Sequence, residues 1–176
     1  MALHLIGLGH RRIGMIQGYY GKDKTTVSSF RETRVSGLEH AMLERGIPWP
    51  ADELLASTET SIQGGYEAAT RLLSVKPRPT AIFAINDLLA FGAMKAAGDL
   101  GLRVPEDISI AGYDNTYLAE SLNLTSGHVN LETMASQALE ILNCASQKDF
   151  DRVQSLSRTA MPEVLVRRST GPVAQD

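Results

Sequence analysis

The sequence is poor in several features that would assign a function at once. A single cysteine, Cys144, excludes a disulfide within the 176-residue chain, and its apolar neighbours Ile141 and Leu142 predict a buried thiol. The 17 basic and 20 acidic residues give a net charge of −3, so the chain lacks the basic excess typical of nucleic-acid binding. No apolar run approaches the roughly 18 residues of a membrane helix, and the first residues do not form a signal peptide. We therefore expect a cytoplasmic protein without a membrane segment.

Motifs of cofactor-dependent and metal-dependent enzymes are also incomplete. The segment Gly7-Leu8-Gly9-His10-Arg11-Arg12 lacks the third glycine of a dinucleotide fingerprint and precedes its strand instead of following it. The histidines lack the spacing to cysteine or acidic residues that a zinc site needs: His4, His10, His40 and His128. Asp87 and Asp114 follow apolar runs, as the acids of a small α/β enzyme would, but no nucleophile accompanies them. The sequence therefore predicts no catalytic residue, no metal and no cofactor.

What the sequence does contain is an alternation of apolar runs and helical patterns. Five short apolar runs predict buried strands: residues 12–18, 54–58, 81–86, 108–114 and 163–167. Between them, apolar residues recur three and four positions apart, which predicts amphipathic helices: Val35, Leu38 and Met42; Ala68, Ala69, Leu72 and Leu73; Leu89, Ala93, Ala96 and Leu100. The predicted fold class is therefore α/β, a three-layer Rossmann-like structure with a parallel sheet, in which ligands bind beyond the carboxyl ends of the strands.

The last third of the chain departs from this alternation. After Asp114 we expect a polar connection, a helix over residues 131–145 and a loop of roughly fifteen residues before the last strand. The helix carries one apolar stripe: Leu131, Met134, Ala135, Ala138, Ile141 and Leu142. A connection of this length indicates that the chain leaves the domain of the sheet and returns to it.

Seven short motifs give the sequence a resemblance to a known family. They are Gly9-His10-Arg11-Arg12-Ile13, Arg34-x-x-Gly37-Leu38, Gly65-Tyr66-x-Ala68, Pro79-Thr80-Ala81-Ile82-Phe83-Ala84-x-Asn86-Asp87-x-x-Ala90-x-Gly92-Ala93, Val104-Pro105-x-Asp107-Ile108-Ser109-Ile110-x-Gly112-Tyr113-Asp114, Leu124-Thr125 and Leu165-Val166-x-Arg168-Ser169-Thr170. Each motif alone is weak, but together they keep the order and spacing seen in LacI/GalR-family (lactose-repressor-like) transcription regulators, from about Leu3 to Thr170. The sequence resembles the C-terminal part of their effector-binding domain.

The resemblance implies an architecture and a set of partners. In that family a DNA-binding helix-turn-helix precedes two Rossmann-like subdomains of the type I periplasmic-binding-protein-like fold, and the effector lies in the cleft between them. Residues 1–115 and 160–170 would form the C-terminal subdomain, and residues 171–176 a tail. Residues 116–159 would be a crossover segment whose helix completes the N-terminal subdomain. The expected protein is a homodimer that reaches operator DNA only through a helix-turn-helix absent from this chain.

The ligand contacts of the family transfer to three matched positions. Arg34 matches an arginine whose planar fork holds two ligand oxygens. Asn86 matches an amide that donates to and accepts from a hydroxyl, and Asp114 matches a carboxylate that accepts from sugar hydroxyls. Because all three would face one cleft, the expected effector is a sugar. From the residues alone, Arg34 could equally be a solvated surface residue, Asn86 only a helix N-cap and Asp114 an Asx-turn residue.

Two further ligand-binding candidates follow the first two predicted strands. Tyr19, with Tyr20 beside it, could stack on a ligand or simply pack at the surface. Thr60 stands where the family often has an aromatic that packs on the ligand, so stacking on a base or hexose face is not expected. After Leu124-Thr125, the segment Ser126-Gly127-His128 replaces the usual apolar strand residue, and Val129 replaces a polar ligand contact.

An incomplete N-terminal subdomain would have two physical consequences. The apolar stripe on the helix over residues 131–145 would lack the sheet it normally covers, so we expect that helix to be displaced, disordered or swapped onto a second copy. With one wall of the cleft, the affinity for the effector should be lower than in a full-length protein. The alternative function is an exported sugar-binding protein of the same fold, which the missing signal peptide disfavours.

Overall fold

Helices and strands alternate along most of the chain in the computed structural model, which describes residues 1–19, 29–147 and 161–173. The helices are α1 (Ala2–Gly7), α2 (Ser29–Glu44), α3 (Ala51–Leu54), α4 (Ile62–Ser74), α5 (Asp87–Asp99), α6 (Tyr117–Ser121) and α7 (Leu131–Ser146). The strands are β1 (Ile13–Tyr19), β2 (Leu55–Glu59), β3 (Ala81–Ala84), β4 (Ser109–Tyr113), β5 (Thr125–His128) and β6 (Glu163–Leu165).

The described strands form one sheet in the order β2-β1-β3-β4-β5-β6. Each neighbouring pair from β2 to β5 is parallel; Met15 lies opposite Leu55, for example, and Phe83 opposite Ala111. The strand order reverses at β1, which has β2 on one side and β3 on the other. Such a reversal is the point at which open α/β sheets bind ligands. The predicted α/β class with a parallel sheet is confirmed.

Helices cover both faces of the sheet, as neighbouring residues of β3 illustrate. Successive side chains of a strand point to opposite faces. Ile82 lies on the face that packs on Leu72 of α4, whereas Phe83 faces a cavity between α1 and α2. On the first face α4 and α5 approach closely, since a Cβ atom on Gly92 would overlap the carbonyl oxygen of Ile62. The result is the expected three-layer arrangement.

All five predicted strands are present, but the segment after Asp114 differs from the prediction. A polar connection was expected there, whereas the chain forms α6 and then β5, the fifth strand of the sheet. The reason is that β5 is both polar and buried: Thr125 Oγ1 lies 2.9 Å from Thr170 Oγ1, and Ser126 Oγ donates to Asp87 Oδ1 at 2.6 Å. Internal hydrogen bonds replace the apolar pattern by which a buried strand is recognised.

A buried polar cluster closes the amino ends of the central strands. His10 is 1% exposed; its Nδ1 lies 2.9 Å from Thr80 Oγ1, and its Nε2 lies 3.1 Å from both Ser109 Oγ and the Gly171 carbonyl oxygen. His10 precedes β1, Thr80 precedes β3, Ser109 begins β4 and Gly171 follows β6. The cluster therefore joins four segments that are far apart in sequence.

By its contacts the chain divides into two units, residues 1–127 with 164–176 and residues 128–163. The second unit contains α7, which Asn130 caps by accepting a hydrogen bond from the Thr133 amide at 2.9 Å. Of the large residues in its predicted stripe, Leu131, Met134 and Leu142 are exposed, Leu131 at 68%, and Ile141 is partly buried. Cys144 is buried as predicted. The loop expected after this helix lies largely outside the described residues. The subdomain boundaries expected at 115/116 and 159/160 stay a prediction.

Candidate functional site

Four of the predicted ligand-binding residues lie along the carboxyl edge of the sheet, and two of them, Arg34 and Asp114, are in contact. Tyr19 ends β1, Asn86 follows β3, and Asp114 directly follows β4. Arg34 lies in the second turn of α2, and its guanidinium reaches the end of β3. Parallel strands thus bring together residues that are as many as 95 positions apart, from Tyr19 to Asp114.

The guanidinium of Arg34 is held on three sides. Nη1 donates to the carbonyl oxygen of Ile85 at 2.6 Å, and Cζ lies 4.1 Å from the centre of the Tyr113 ring, a cation–π contact. Nη2 lies 3.8 Å from Asp114 Oδ1, close enough for an ion pair but too far for a hydrogen bond. The side chain is 29% exposed. Arg34 is therefore a fixed, partly buried cation and not a freely solvated surface residue.

Asp114 presents a partly exposed carboxylate beside Arg34. Its side chain is 47% exposed and accepts no hydrogen bond from the described residues, although its backbone amide donates to the Gly127 carbonyl oxygen at 2.9 Å. Burial raises the pKa of Asp114 above its ordinary value; the Arg34 guanidinium opposes this rise and the Asp87 carboxylate adds to it. The Asx-turn alternative is wrong, because the Thr116 amide that such a turn would use donates to Asp87 instead.

Asn86 is the N-cap of α5, as one sequence interpretation proposed. Its Oδ1 accepts a hydrogen bond from the Leu89 amide at 3.0 Å, and the residue is 9% exposed. Capping uses the oxygen of the side-chain amide and leaves its NH₂ group without a partner among the described residues. Asn86 can therefore offer a ligand two N–H donors while it fixes the start of the helix.

The two remaining candidates adjoin each other at the ends of β1 and β2. The Thr60 amide donates to the carbonyl oxygen of Tyr19 at 2.8 Å, and the Tyr19 side chain is partly buried. Thr60 Oγ1 is shielded from solvent next to Gly18 and has no hydrogen-bond partner among the described residues. Tyr20, the neighbour of Tyr19, lies outside the described residues. Tyr19 lines a pocket with Ser57 of β2 and Arg71 of α4, whereas Arg34 lines a different cavity.

Sequence reasoning missed the residues that support Arg34. Tyr113 belongs to the Gly112-Tyr113-Asp114 motif, but nothing in the motif indicates that its ring lies beneath the guanidinium. Gly127 makes room for that ring, since a Cβ atom there would overlap it. The unusual segment Ser126-Gly127-His128 was therefore the available signal, because a glycine in a strand often marks the close approach of another group.

The arrangement provides hydrogen-bond donors and acceptors within one small area. The guanidinium has five N–H groups, of which one binds Ile85, and Asp114 supplies only acceptor oxygens. A hydroxyl both donates and accepts, so it can lie between the two charges.

Along the residues that the structure describes, no group of three or more His, Cys, Asp or Glu side chains could hold a metal ion. No helix in the same residues is long and apolar enough to cross a membrane.

Comparison with known proteins places this site in a family. The model of the periplasmic binding protein-like domain matches residues 2–170. The chain is 38% identical to the HTH-type transcriptional repressor PurR of Haemophilus influenzae and 36% identical to the HTH-type transcriptional regulator DegA of Bacillus subtilis, over 94% and 98% of its length. These alignments cover 48% and 49% of the relatives. A solved complex of the transcriptional regulator CelR with cellobiose superposes with a TM-score of 0.74 at 27% identity, covering 96% of this chain and 49% of that one.

The fold and the family match together define an α/β domain of the periplasmic-binding-protein type. The chain belongs to the LacI family of transcriptional regulators and corresponds to the C-terminal part of their effector-binding domain. It spans about half the length of the curated relatives that it matches. Those relatives are transcriptional regulators and not enzymes, which agrees with the expectation of a protein without catalytic activity.

Proposed function

We propose that this chain is the ligand-sensing part of a LacI-type transcription regulator and that its effector is a sugar. The observation that carries the proposal is the pair of Arg34 and Asp114: both side chains are partly exposed, and Arg34 Nη2 lies 3.8 Å from Asp114 Oδ1. Among the described residues, most of the guanidinium N–H groups and both carboxylate oxygens have no hydrogen-bond partner. Neighbouring hydroxyls of a sugar match such a pair, because each accepts from the guanidinium and donates to the carboxylate. The cellobiose bound to CelR supports a sugar of this class.

Each candidate residue then has a separate role. Arg34 grips ligand oxygens, Asp114 accepts from hydroxyls, and Asn86 donates from its amide nitrogen. Tyr19, at the end of β1, would contact the ligand from the side of β2. Thr60 would contribute a small contact in place of an aromatic ring, which disfavours stacking of a flat base. Polar groups that bind ligand hydroxyls distinguish a sugar from an analogue without those hydroxyls, because the analogue leaves the polar groups of the protein unpaired.

The regulator as a whole would be a cytoplasmic homodimer, usually a repressor, that contacts operator DNA through a helix-turn-helix outside this chain. Residues 1–115 and 160–170 would be the C-terminal subdomain, and residues 116–159 the crossover to the N-terminal one. Effector binding would close the cleft between subdomains and change the spacing of two DNA-binding domains. Sedimentation equilibrium of the 176-residue chain tests whether this part contributes to the dimer.

Titration of the chain by NMR tests the sugar and the site together, since it detects millimolar dissociation constants. A panel of pentoses, hexoses, cellobiose and nucleobases is added to the wild type, to Arg34→Ala and to Arg11→Ala. The last is a matched control, because Arg11 also donates to a backbone carbonyl, that of Ile6 at 3.0 Å, but near the amino end of the sheet.

We expect a sugar to shift the amides of Asn86 and Asp114, and Arg34→Ala to weaken its binding about 10- to 100-fold. Arg11→Ala should bind as the wild type does. A nucleobase that binds in preference to every sugar would contradict the effector class. Equal affinity in the wild type and Arg34→Ala would contradict the site.

A further inference from the structure

The carboxylate of Asp87 is buried and fully used within the protein. Asp87 is 1% exposed and begins α5, directly after the cap residue Asn86. Its Oδ1 accepts from Ser126 Oγ at 2.6 Å, and its Oδ2 accepts from the Thr116 amide at 2.7 Å and from Thr116 Oγ1 at 2.9 Å. The partners come from the turn after β4 and from β5, so one side chain ties α5 to both.

Those hydrogen bonds converge on the turn that follows Asp114. Thr116 is bound directly, and the Asn115 amide donates at 3.0 Å to Ser126 Oγ, which in turn donates to Asp87. Two consecutive amides of the turn are therefore fixed by the same carboxylate, one directly and one through a hydroxyl.

The turn needs such support because its backbone is unfavourable. Asp114 has a φ of 97° and Asn115 a φ of 50°, in the region that residues with a Cβ atom rarely occupy. The strand before it is adapted to the buried carboxylate, since a Cβ atom on Gly112 would overlap Asp87 Oδ1. The glycine at position 112 thus leaves room for the Asp87 carboxylate beside the turn.

We propose that Asp87 is a positioning residue for the effector site: its buried carboxylate holds residues 114–116 in the strained turn that presents the Asp114 carboxylate beside Arg34. Asp87 itself does not touch the effector. The inference rests on the proposed function for the role of Asp114, but the turn geometry can be tested without a ligand.

The first test measures the turn alone. In Asp87→Asn, one acceptor oxygen becomes a donor, so we expect the Asn115 and Thr116 amides to exchange with solvent at least about tenfold faster than in the wild type. Ser126→Ala keeps the carboxylate and should accelerate Asn115 more than Thr116. Asp107→Asn is the matched control, because Asp107 also accepts from a backbone amide, that of Arg103 at 2.8 Å, but at the amino end of β4. Unchanged exchange of both turn amides in Asp87→Asn would overturn the proposal.

The second test separates positioning from a general structural role by a double-mutant cycle on affinity for the sugar. Asp87→Asn should weaken binding about tenfold in the wild type and less than about twofold in the Asp114→Asn background, because the two residues act through one contact. An equal loss in both backgrounds would refute the positioning role. If no sugar binds even the wild type, the proposed function fails, and the exchange rates still decide the role of Asp87 in the turn. Should Asp87→Asn not fold, Ser126→Ala takes its place in the cycle.

Discussion

The two ends of the parallel sheet both carry polar side chains, but they use them in opposite ways. At the amino end, His10 is buried, and both ring nitrogens have partners. At the carboxyl end, Arg34 and Asp114 are partly exposed, and the described residues use only some of their hydrogen-bonding groups. Buried polar groups without partners are costly, so unused hydrogen-bonding groups are usually found where solvent or a ligand can reach them. The contrast separates polar residues that stabilise the fold from those that we propose to bind a ligand.

The amino-end cluster has a definite protonation pattern. The Gly171 carbonyl oxygen only accepts, so His10 Nε2 carries the proton, and Nδ1 accepts from the Thr80 hydroxyl. This is the neutral imidazole. Burial lowers the pKa of His10; the hydrogen bond to Gly171 opposes this and the nearby His4 adds to it. A neutral histidine whose ring nitrogens both have partners is suited to connect segments that are distant in sequence.

Removal of the His10 side chain should give the largest loss of stability. In His10→Ala, the lost packing and the lost hydrogen bonds to Thr80, Ser109 and Gly171 should lower the free energy of unfolding by about 3 kcal/mol. Chemical denaturation followed by circular dichroism measures the change. Binding of the sugar at the other end of the sheet should be unaltered under conditions where the variant is folded. A weakening of binding equal to that in Arg34→Ala would show that the two ends are not independent.

The difference between the two ends also explains how much the sequence could predict. Apolar runs located β1 to β4 and β6, because burial of strands in a parallel sheet leaves a continuous apolar pattern. β5 escaped prediction because Thr125 and Ser126 are buried through hydrogen bonds to residues distant in sequence. Hydrogen-bond partners that are distant in sequence cannot be identified before the fold is known.

In the candidate site too, features that depend on neighbouring residues could be predicted from the sequence, and those that depend on distant residues could not. That Asn86 caps a helix follows from its position before an apolar helical pattern, and the structure confirms it. The separate roles of Asp87 and Asp114 do not follow, since both are aspartates after strands, and only burial distinguishes the saturated carboxylate from the open one. The ring of Tyr113 beneath Arg34 likewise depends on a contact between residues 79 positions apart.

Thr60 offers a smaller and opposite change at the carboxyl end. Its hydroxyl is buried without a partner among the described residues, so Thr60→Val removes an unsatisfied group while it keeps the shape of the side chain. The free energy of unfolding should rise by about 1 kcal/mol. Thermal denaturation measures this, with Thr70→Val as a control, because Thr70 donates to the Tyr66 carbonyl oxygen at 2.8 Å and is exposed. A loss of stability in Thr60→Val would indicate that the hydroxyl has an unrecognised partner.

The smallest expected effect is in the pH dependence of stability, where the two ends should act with opposite signs. The lowered pKa of His10 means that the unfolded chain binds the proton more tightly, so its contribution is complete above the ordinary value of 6.5 and is lost as the pH falls below it. The raised pKa of Asp114 means that the folded chain binds its proton more tightly, so stability falls as the pH rises from 3.8 through the folded pKa.

Asp114→Asn should therefore be slightly more stable than the wild type near pH 7 and should lose this advantage below about pH 4, while it binds the sugar less well. His4, whose pKa is also lowered by burial, contributes with the sign of His10 and is unchanged in this variant. Unfolding midpoints across the pH range, measured for both proteins, give the difference directly. A carboxylate that destabilises the fold and strengthens binding would mark the carboxyl end as the functional end; lower stability of Asp114→Asn at pH 7 would instead show that the ion pair with Arg34 outweighs the burial of Asp114.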